Sequence, residues 1–185
     1  MPDQVVGRLS PWLRERRIAA VLPFLSGDVL DFGCGVGHLA PHVTPERYQG
    51  VDRDTESIAQ AKAAHPGYRF SAEIPAGRRY DTIAALAVLE HLKNPAAFIN
   101  DMAQRLNPNG AIVLTTPHKL FEWTHTAGAA IGLFSHHACD EHETLFDKAG
   151  LRALAENGGL RMARYRRFLF GANQLAILRQ GAGCS

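Results

Sequence analysis

The apolar positions along this chain fall into alternating helix-like and strand-like blocks. Over residues 10–25, Trp12, Leu13, Ile18, Val21, Leu22 and Leu25 recur at roughly helical spacing, and Ser10-Pro11 has the form of a cap followed by a first-turn proline. A leading helix is expected there. Gly27-Asp28 breaks the period, and Val29-Leu30-Asp31-Phe32 reads as a short buried strand running into a glycine loop. The pattern predicts a helix from that loop to about Val43. Tyr48-Gln49-Gly50-Val51-Asp52 forms a second strand, and Asp54 caps a helix carrying Ile58, Ala61 and Ala64 until Pro66 stops it.

Residues 68–71 predict a third strand, and the apolar run over residues 81–88 has the length and bulk of a central parallel strand. Asn94-Pro95 opens a helix with Phe98, Ile99, Met102 and Leu106 on one face, ended by Asn107-Pro108-Asn109-Gly110. Residues 111–116 form a fifth strand. Residues 117–142 carry no clean period, which in a compact domain marks a lid or an acceptor-side insertion. Asp147 is a good N-cap, Leu151 and Leu154 face inward, and Gly158 sits where a helix stop belongs. Two β-rich runs over residues 160–178, broken at Gly171-Ala172-Asn173, predict a closing hairpin. The order of elements implies an α/β fold over residues 1–185 as one domain: a doubly wound, mostly parallel sheet with helices on both faces and one antiparallel strand near the edge. Such sheets bind ligands at the carboxyl ends of their strands, here after Asp31, Asp52, Ser71, Leu86 and Thr116.

Charge and cysteine content narrow the function classes. A formal net charge of +2 lacks the electrostatic excess of a dedicated nucleic-acid binder, so no nucleic-acid partner is expected. Arg161, Arg164, Arg166 and Arg167, with Arg14, Arg16 and Arg17 at the other end, read first as a solvated basic face and, as the alternative, as a contact for an anionic partner. Cys34, Cys139 and Cys184 are widely spaced and odd in number, giving neither a disulfide framework nor a paired zinc signature; a reducing cytoplasm is the simpler expectation. The start Met1-Pro2-Asp3-Gln4 has no signal-peptide form, and the small apolar stretch at residues 126–134 is far too short to span a bilayer, so a soluble protein is expected. That stretch reads as an apolar lid or as a buried helix turn.

The glycine loop carries the densest chemistry. In Gly33-Cys34-Gly35-Val36-Gly37-His38, glycines at alternate positions permit positive φ and let a ligand approach the backbone without meeting a Cβ. A nicotinamide fingerprint would place its third glycine where this chain has His38, so a dinucleotide is disfavoured. Asp52 ends the second strand about 20 residues further on, where a carboxylate can accept hydrogen bonds from both hydroxyls of an adenosine ribose.

Residues 29–40, Val51-Asp52, residues 85–92 and residues 106–117 resemble successive motifs of class I S-adenosylmethionine-dependent methyltransferases. The likeness takes in most of the chain. Leu89-Glu90-His91-Leu92, Asn94-Pro95 and the run from Leu106-Asn107-Pro108-Asn109-Gly110 to Thr115-Thr116-Pro117 are similar to the ubiquinone-biosynthesis O-methyltransferase group. The resemblance implies a Rossmann-like, seven-stranded sheet, S-adenosylmethionine as cofactor, and methyl transfer to a small-molecule or lipid-linked acceptor, with oxygen as one candidate atom beside carbon and nitrogen. It implies that Asp31, Gly33, Cys34 and Gly35 surround the methionine part, and that Asp52 with Arg53 hold the ribose and flank the adenine. Ala72 and Glu73 would lie at the adenine edge, Ala85 and Leu86 would offer backbone to the sulfonium side, and Arg14 would reach the cofactor carboxylate. Relatives commonly carry Asp where this chain has Ser71 or Ala72, which leaves adenine recognition to main chain or to Glu73.

A phenol or alcohol acceptor needs a base for its proton, and histidine suits that work near neutral pH. His91 and His118 fall at the carboxyl edge of the sheet, and His137 and His142 in the long loop; none is singled out, and Glu90-His91 also reads as a pin for the turn that follows. Residues 136–143 concentrate metal-capable side chains at a spacing that matches no closed zinc site, so no metal is expected. Two other readings stay open: a non-catalytic S-adenosylmethionine-binding protein, and a nicotinamide-dependent oxidoreductase, which His38 and the closing hairpin oppose.

Overall fold

A computed structural model describes residues 3–118 and 146–181. In chain order the elements are α1 (Asp3–Val21), β1 (Val29–Phe32), β2 (Tyr48–Val51), α2 (Thr55–Ala64), β3 (Arg69–Ser71), β4 (Tyr80–Leu86), α3 (Pro95–Gln104), β5 (Leu106–Pro117), α4 (Lys148–Asn157), β6 (Leu160–Phe168) and β7 (Asn173–Gln180). They build a seven-stranded sheet in the order β3-β2-β1-β4-β5-β7-β6. The first five strands run parallel, and β7 is antiparallel to both of its neighbours, β5 and β6. The antiparallel strand expected near the edge is thus second from it.

The two-residue period of the strands divides the core into two layers. Ile83 and Ala85 of β4, Ile112 and Leu114 of β5, and Ala176 and Leu178 of β7 face Ile99 and Met102 of α3 and Leu151 and Ala155 of α4. The intervening residues Ala84, Val113, Leu175 and Ile177 face the opposite way, toward Ile18 and Val21 of α1 and Ile58 and Ala61 of α2. Covered on both faces, β4 and β5 read as continuous apolar runs. The helices start where the capping residues place them. Asp54 accepts from the amides of Glu56 and Ser57, Asn94 from that of Ala97, and Asp147 from that of Gly150; caps of this kind contribute about 1 kcal/mol each.

Three expectations need correction. No α-helix follows the glycine loop: residues 33–39 form turns, and only a 3-10 turn at Ala40–His42 precedes Val43. Gly33, Gly35 and Gly37 all have left-handed φ, of 73°, 52° and 83°, and Pro41 has no amide to donate, so too little chain remains to close a helical ladder. Secondly, α1 begins at Asp3, which places Pro11 inside the helix; the ring deletes one donor, and the turns on either side continue the helix past it. It ends at Val21, where Pro23 shapes a 3-10 turn at Leu22–Phe24. Thirdly, β5 begins at Leu106, so residues 107–110 belong to its irregular start, with Asn109 at φ 66° and a register shift against β4 between Tyr80 and Thr82. Gly158 caps α4 as expected, while the left-handed residue is the next one, Gly159. Of the long segment without a period, Pro117 closes β5 and His118 bridges to Phe146; residues 119–145 lie outside the described residues.

Candidate functional site

Where β1 ends, the amides of Gly33 and Cys34 both donate to the carbonyl of Val51, at 2.8 and 3.1 Å, and so hook the glycine loop over the end of β2. The Asp52 carboxylate completes the hook. Its Oδ2 accepts from the Gly35 amide at 2.8 Å and its Oδ1 from the Asp54 amide at 3.0 Å. A carboxylate offers about four lone-pair sites, so roughly two remain on this half-buried group for a ligand.

The glycines of the loop divide by purpose. A Cβ on Gly37 would stand 2.8 Å from the Phe70 ring and 3.0 Å from His65, and one on Gly33 would meet Val88 at 2.5 Å; these positions are small because the fold is packed against them. At Gly35 a Cβ would meet nothing within 4 Å. The room at that position serves no packing purpose among the described residues.

Beside the loop lies a cleft of about 270 Å³. Asp31, Gly33, Cys34 and Leu86 line it from the strand ends, and Arg14 and Arg17 close it from α1. Five of the residues expected at a cofactor site are therefore together here: Asp31, Gly33, Cys34, Leu86 and Arg14. Gly35 and Asp52 adjoin them through their hydrogen bond, and Ala85 is buried in β4 opposite Phe32. Arg53, Ala72 and Glu73 are exposed at the ends of β2 and β3 and do not line the cleft. The turn carrying Glu73 is set by Ser71, whose hydroxyl donates to the Glu73 carbonyl at 2.7 Å and accepts from Gln49 Nε2.

The electrostatics of the cleft are dominated by burial. Asp31 is almost fully enclosed, and desolvation lifts its carboxyl to about 7; the hydroxyl of Tyr48, donating to Asp31 Oδ2 at 2.7 Å, pulls the other way, and the nearby charge of Asp52 adds to the rise. Burial also pushes the Cys34 thiol well above its ordinary range, so it stays neutral and is no nucleophile. Arg14 Nε is buried without a hydrogen-bond partner among the described residues. Arg17 Nε donates to Asn173 Oδ1 at 3.0 Å, tying α1 to the start of β7. Burial raises the carboxyl of Glu90, against hydrogen bonding from its own backbone and from the Thr116 hydroxyl and the positive charges of His91 and Arg17, and the hydroxyl of Thr115 has no partner among the described residues. Ala87 takes the chain out of β4 at φ 56°, its amide donating to the Thr115 carbonyl at 2.8 Å.

Tyr48, Arg17, Glu90 and Asn173 were not among the expected site residues. The two-residue period marks Tyr48 only as buried, and the Arg17–Asn173 contact joins residues from opposite ends of the chain. Of the candidate bases, His91 is exposed in the 3-10 turn Leu89–His91, whereas His118 is buried, its amide donating to the Ala172 carbonyl at 2.9 Å. His137 and His142 lie outside the described residues. Among the described residues no group of three metal-capable side chains converges, and no helix is long and apolar enough to cross a membrane.

A family described as Methyltransferase domain matches residues 6–165. The chain is 35% identical over 127 residues to a ubiquinone biosynthesis O-methyltransferase of Rhodopseudomonas palustris strain HaA2, covering 63% of this chain and 49% of that protein. It spans about half the length of the curated relatives it matches. Solved methyltransferase structures share its fold, among them the following two. A magnesium protoporphyrin IX methyltransferase from Synechocystis PCC 6803 with bound SAH superimposes with a TM-score of 0.64 at 22% identity, covering 96% of this chain and 83% of that one. An S-adenosylmethionine-dependent methyltransferase from Clostridium acetobutylicum gives a TM-score of 0.67 at 12% identity, over 94% and 91% of the two chains. Because the family match takes in the glycine loop, Asp52 and the carboxyl ends of β4 and β5, the chain belongs to the methyltransferase domain family.

Proposed function

We propose that this chain transfers a methyl group from S-adenosylmethionine to a hydroxyl of a small or lipid-linked acceptor. The observation that carries the reading is the open position at Gly35 beside the half-satisfied carboxylate of Asp52: a ligand can lie against the main chain there while its ribose hydroxyls meet Asp52. Arg14 Nε, buried and without a partner among the described residues, supplies a second fit, since a guanidinium at the cleft wall matches the carboxylate of the cofactor's methionine end. Asp31 is placed to face the ammonium of that end, with Gly33, Cys34 and Gly35 presenting backbone around it. Ala85 and Leu86 offer the end of β4 to the sulfonium side, while Arg53, Ala72 and Glu73 flank the adenine.

When bound, the cofactor supplies an electrophilic methyl group on sulfur. The chain's own contribution is position, which for well-aligned reactants is on the order of 7–11 kcal/mol. The acceptor side falls at the carboxyl ends of β4 and β5, beyond Leu86 and Pro117. We assign removal of the acceptor proton to a histidine of this edge; His91 is the exposed one of the two described, and His118 is enclosed. The reaction suits the cytoplasm, where the Cys34 thiol stays reduced.

Calorimetric titration of the purified chain with S-adenosylmethionine, S-adenosylhomocysteine and NAD(H) tests the reading. Micromolar binding of the first two, lost in Asp52→Ala, is expected, with no heat from NAD(H). Binding of NAD(H) alone would overturn it. Turnover of hydroxylated aromatic acceptors then separates an enzyme from a protein that only binds the cofactor.

A further inference from the structure

The turn joining β6 to β7 is built against the usual rules. Gly171 N donates to the Phe168 carbonyl at 3.1 Å, and the two residues between them, Leu169 and Phe170, both have φ of 54°. That is a type I′ turn, whose two central positions need positive φ and are dominated by Asn and Gly. Here they hold two large apolar side chains. Phe170 is 101% exposed and Trp12, on the facing side of α1, 42% exposed, the only large apolar residues so exposed among the described residues. Arg167 stiffens the tip from behind, its Nε and Nη2 donating to the Gly171 carbonyl at 3.1 and 2.7 Å.

The surroundings of the tip are basic. Leu169, Phe170 and Trp12 share a shallow groove with Arg16 and Arg166, and no acidic side chain lines it among the described residues. Arg16 lies over the Trp12 ring at 5.4 Å, and Arg164, further along the same side of β6, lies over Phe24 at 5.3 Å. Paired with aromatic faces, these guanidiniums keep their apolar stems on the protein and their charge outward. The tip stands at the carboxyl edge of the sheet, since Asn173 pairs with Pro117 at the end of β5. Through Arg17 and Asn173, α1 has the cofactor cleft on one side and this groove on the other.

We infer that the β6–β7 tip, Trp12 and the arginines around them form a docking surface for an anionic lipid bilayer. Leu169 and Phe170 enter the interface, and Arg16, Arg164 and Arg166 meet the lipid phosphates. A protruding apolar tip ringed by cations suits a soft, negatively charged surface. A single-stranded nucleic acid would instead want aromatic platforms along a concave track, and a second copy of this chain would bring the same cations into opposition. The inference concerns a surface outside the cleft and stands apart from the proposed methyl transfer.

The test is co-sedimentation of the chain with phosphatidylglycerol vesicles and with phosphatidylcholine vesicles. Trp12 fluorescence, read in a Trp123→Phe background that leaves Trp12 the sole tryptophan, reports insertion. Binding to the anionic vesicles with a blue shift of Trp12, weakened by salt, is expected. The key variant is Leu169→Asn/Phe170→Gly, which installs residues favoured by this turn and so preserves or raises the melting temperature. It should bind more than about ten-fold more weakly, as expected for removing two large apolar side chains from an interface. Arg166→Gln should flatten the salt dependence. Absence of vesicle binding by the parent chain, or equal binding by the turn variant, would overturn the inference. A dimer that dissociates on the same substitutions, or an oligonucleotide bound in preference to the vesicles, would overturn it in favour of that partner.

Discussion

Asp31 shows how far a residue's chemistry depends on what the fold puts around it. An aspartate in an unfolded chain ionises near pH 4, whereas burial holds Asp31 to about 7 even with the Tyr48 hydroxyl donating to it. The folded state therefore keeps the proton more tightly than the unfolded state. The stability contributed by protonated Asp31 is fully present below about pH 4 and is lost as pH rises through about 7. At about 1.4 kcal/mol per pH unit, the span between the two values corresponds to something on the order of 4 kcal/mol. Asp31→Asn keeps an acceptor for Tyr48 and removes the ionisation. Urea midpoints of the two proteins should therefore diverge in favour of the variant between about pH 4 and 7 and run parallel above it. Parallel curves across the whole range would show that Asp31 ionises freely in the fold. On the proposed function, an ammonium beside Asp31 stabilises its carboxylate, so binding of S-adenosylhomocysteine to the parent chain should strengthen as pH rises toward 7. In Asp31→Asn that trend should vanish. The glycine-loop sequence marks Asp31 as a site residue, but its proton depends on enclosure and on Tyr48 from another strand, which no local pattern encodes.

At the scale of elements, the glycine loop separates fold from function within three residues. Gly35→Ala introduces a side chain at φ 52° into open space, so its stability loss should be only the left-handed backbone term, about 1–2 kcal/mol. Its ligand affinity should fall much further, because the new methyl group occupies the face presented to the cofactor. Gly37→Ala adds to the same backbone term a collision with Phe70 and His65, and should lose about 2–5 kcal/mol. Thermal melts of both variants, each with and without S-adenosylhomocysteine, read the contrast: a near-normal melt without ligand response for Gly35→Ala, and a depressed melt for Gly37→Ala. A ligand response preserved in Gly35→Ala would mean that the open position is not used. The same loop marks where the sequence was hardest to read. Caps at Asp54, Asn94 and Asp147 were legible because each satisfies amides two or three residues away. The helix expected up to Val43 fails because three left-handed glycines and Pro41 consume the span it would need, and its apolar residues Leu39 and Ala40 are buried from turns instead. Burial was readable there, and conformation was not.

For the whole molecule, the mostly parallel sheet and an antiparallel strand near its edge followed from alternation of elements, but the wall of the cleft did not. Nothing in the period of α1 tells that Arg14, Arg17 and Ile18 close a ligand site, because that depends on α1 packing against β4 and β5 and on Arg17 reaching Asn173, 156 residues away in sequence. This placement makes α1 the element whose order is most tightly linked to the cofactor. It covers one layer of the core with Ile18 and Val21, yet its outer side, including Pro11, Trp12 and Arg16, is exposed. Such a helix can open locally while the sheet stays formed. A ligand held by Arg14 stabilises only states in which α1 is docked, by about 2.7 kcal/mol when present at a hundred times its dissociation constant. Hydrogen exchange should then slow at residues 12–21 on addition of S-adenosylhomocysteine. In α4, on the opposite face and away from the cleft, exchange by local opening should keep its rate. Equal slowing in both helices would show that the ligand acts only through global unfolding, and no slowing in α1 would remove Arg14 and Arg17 from the cofactor's surroundings.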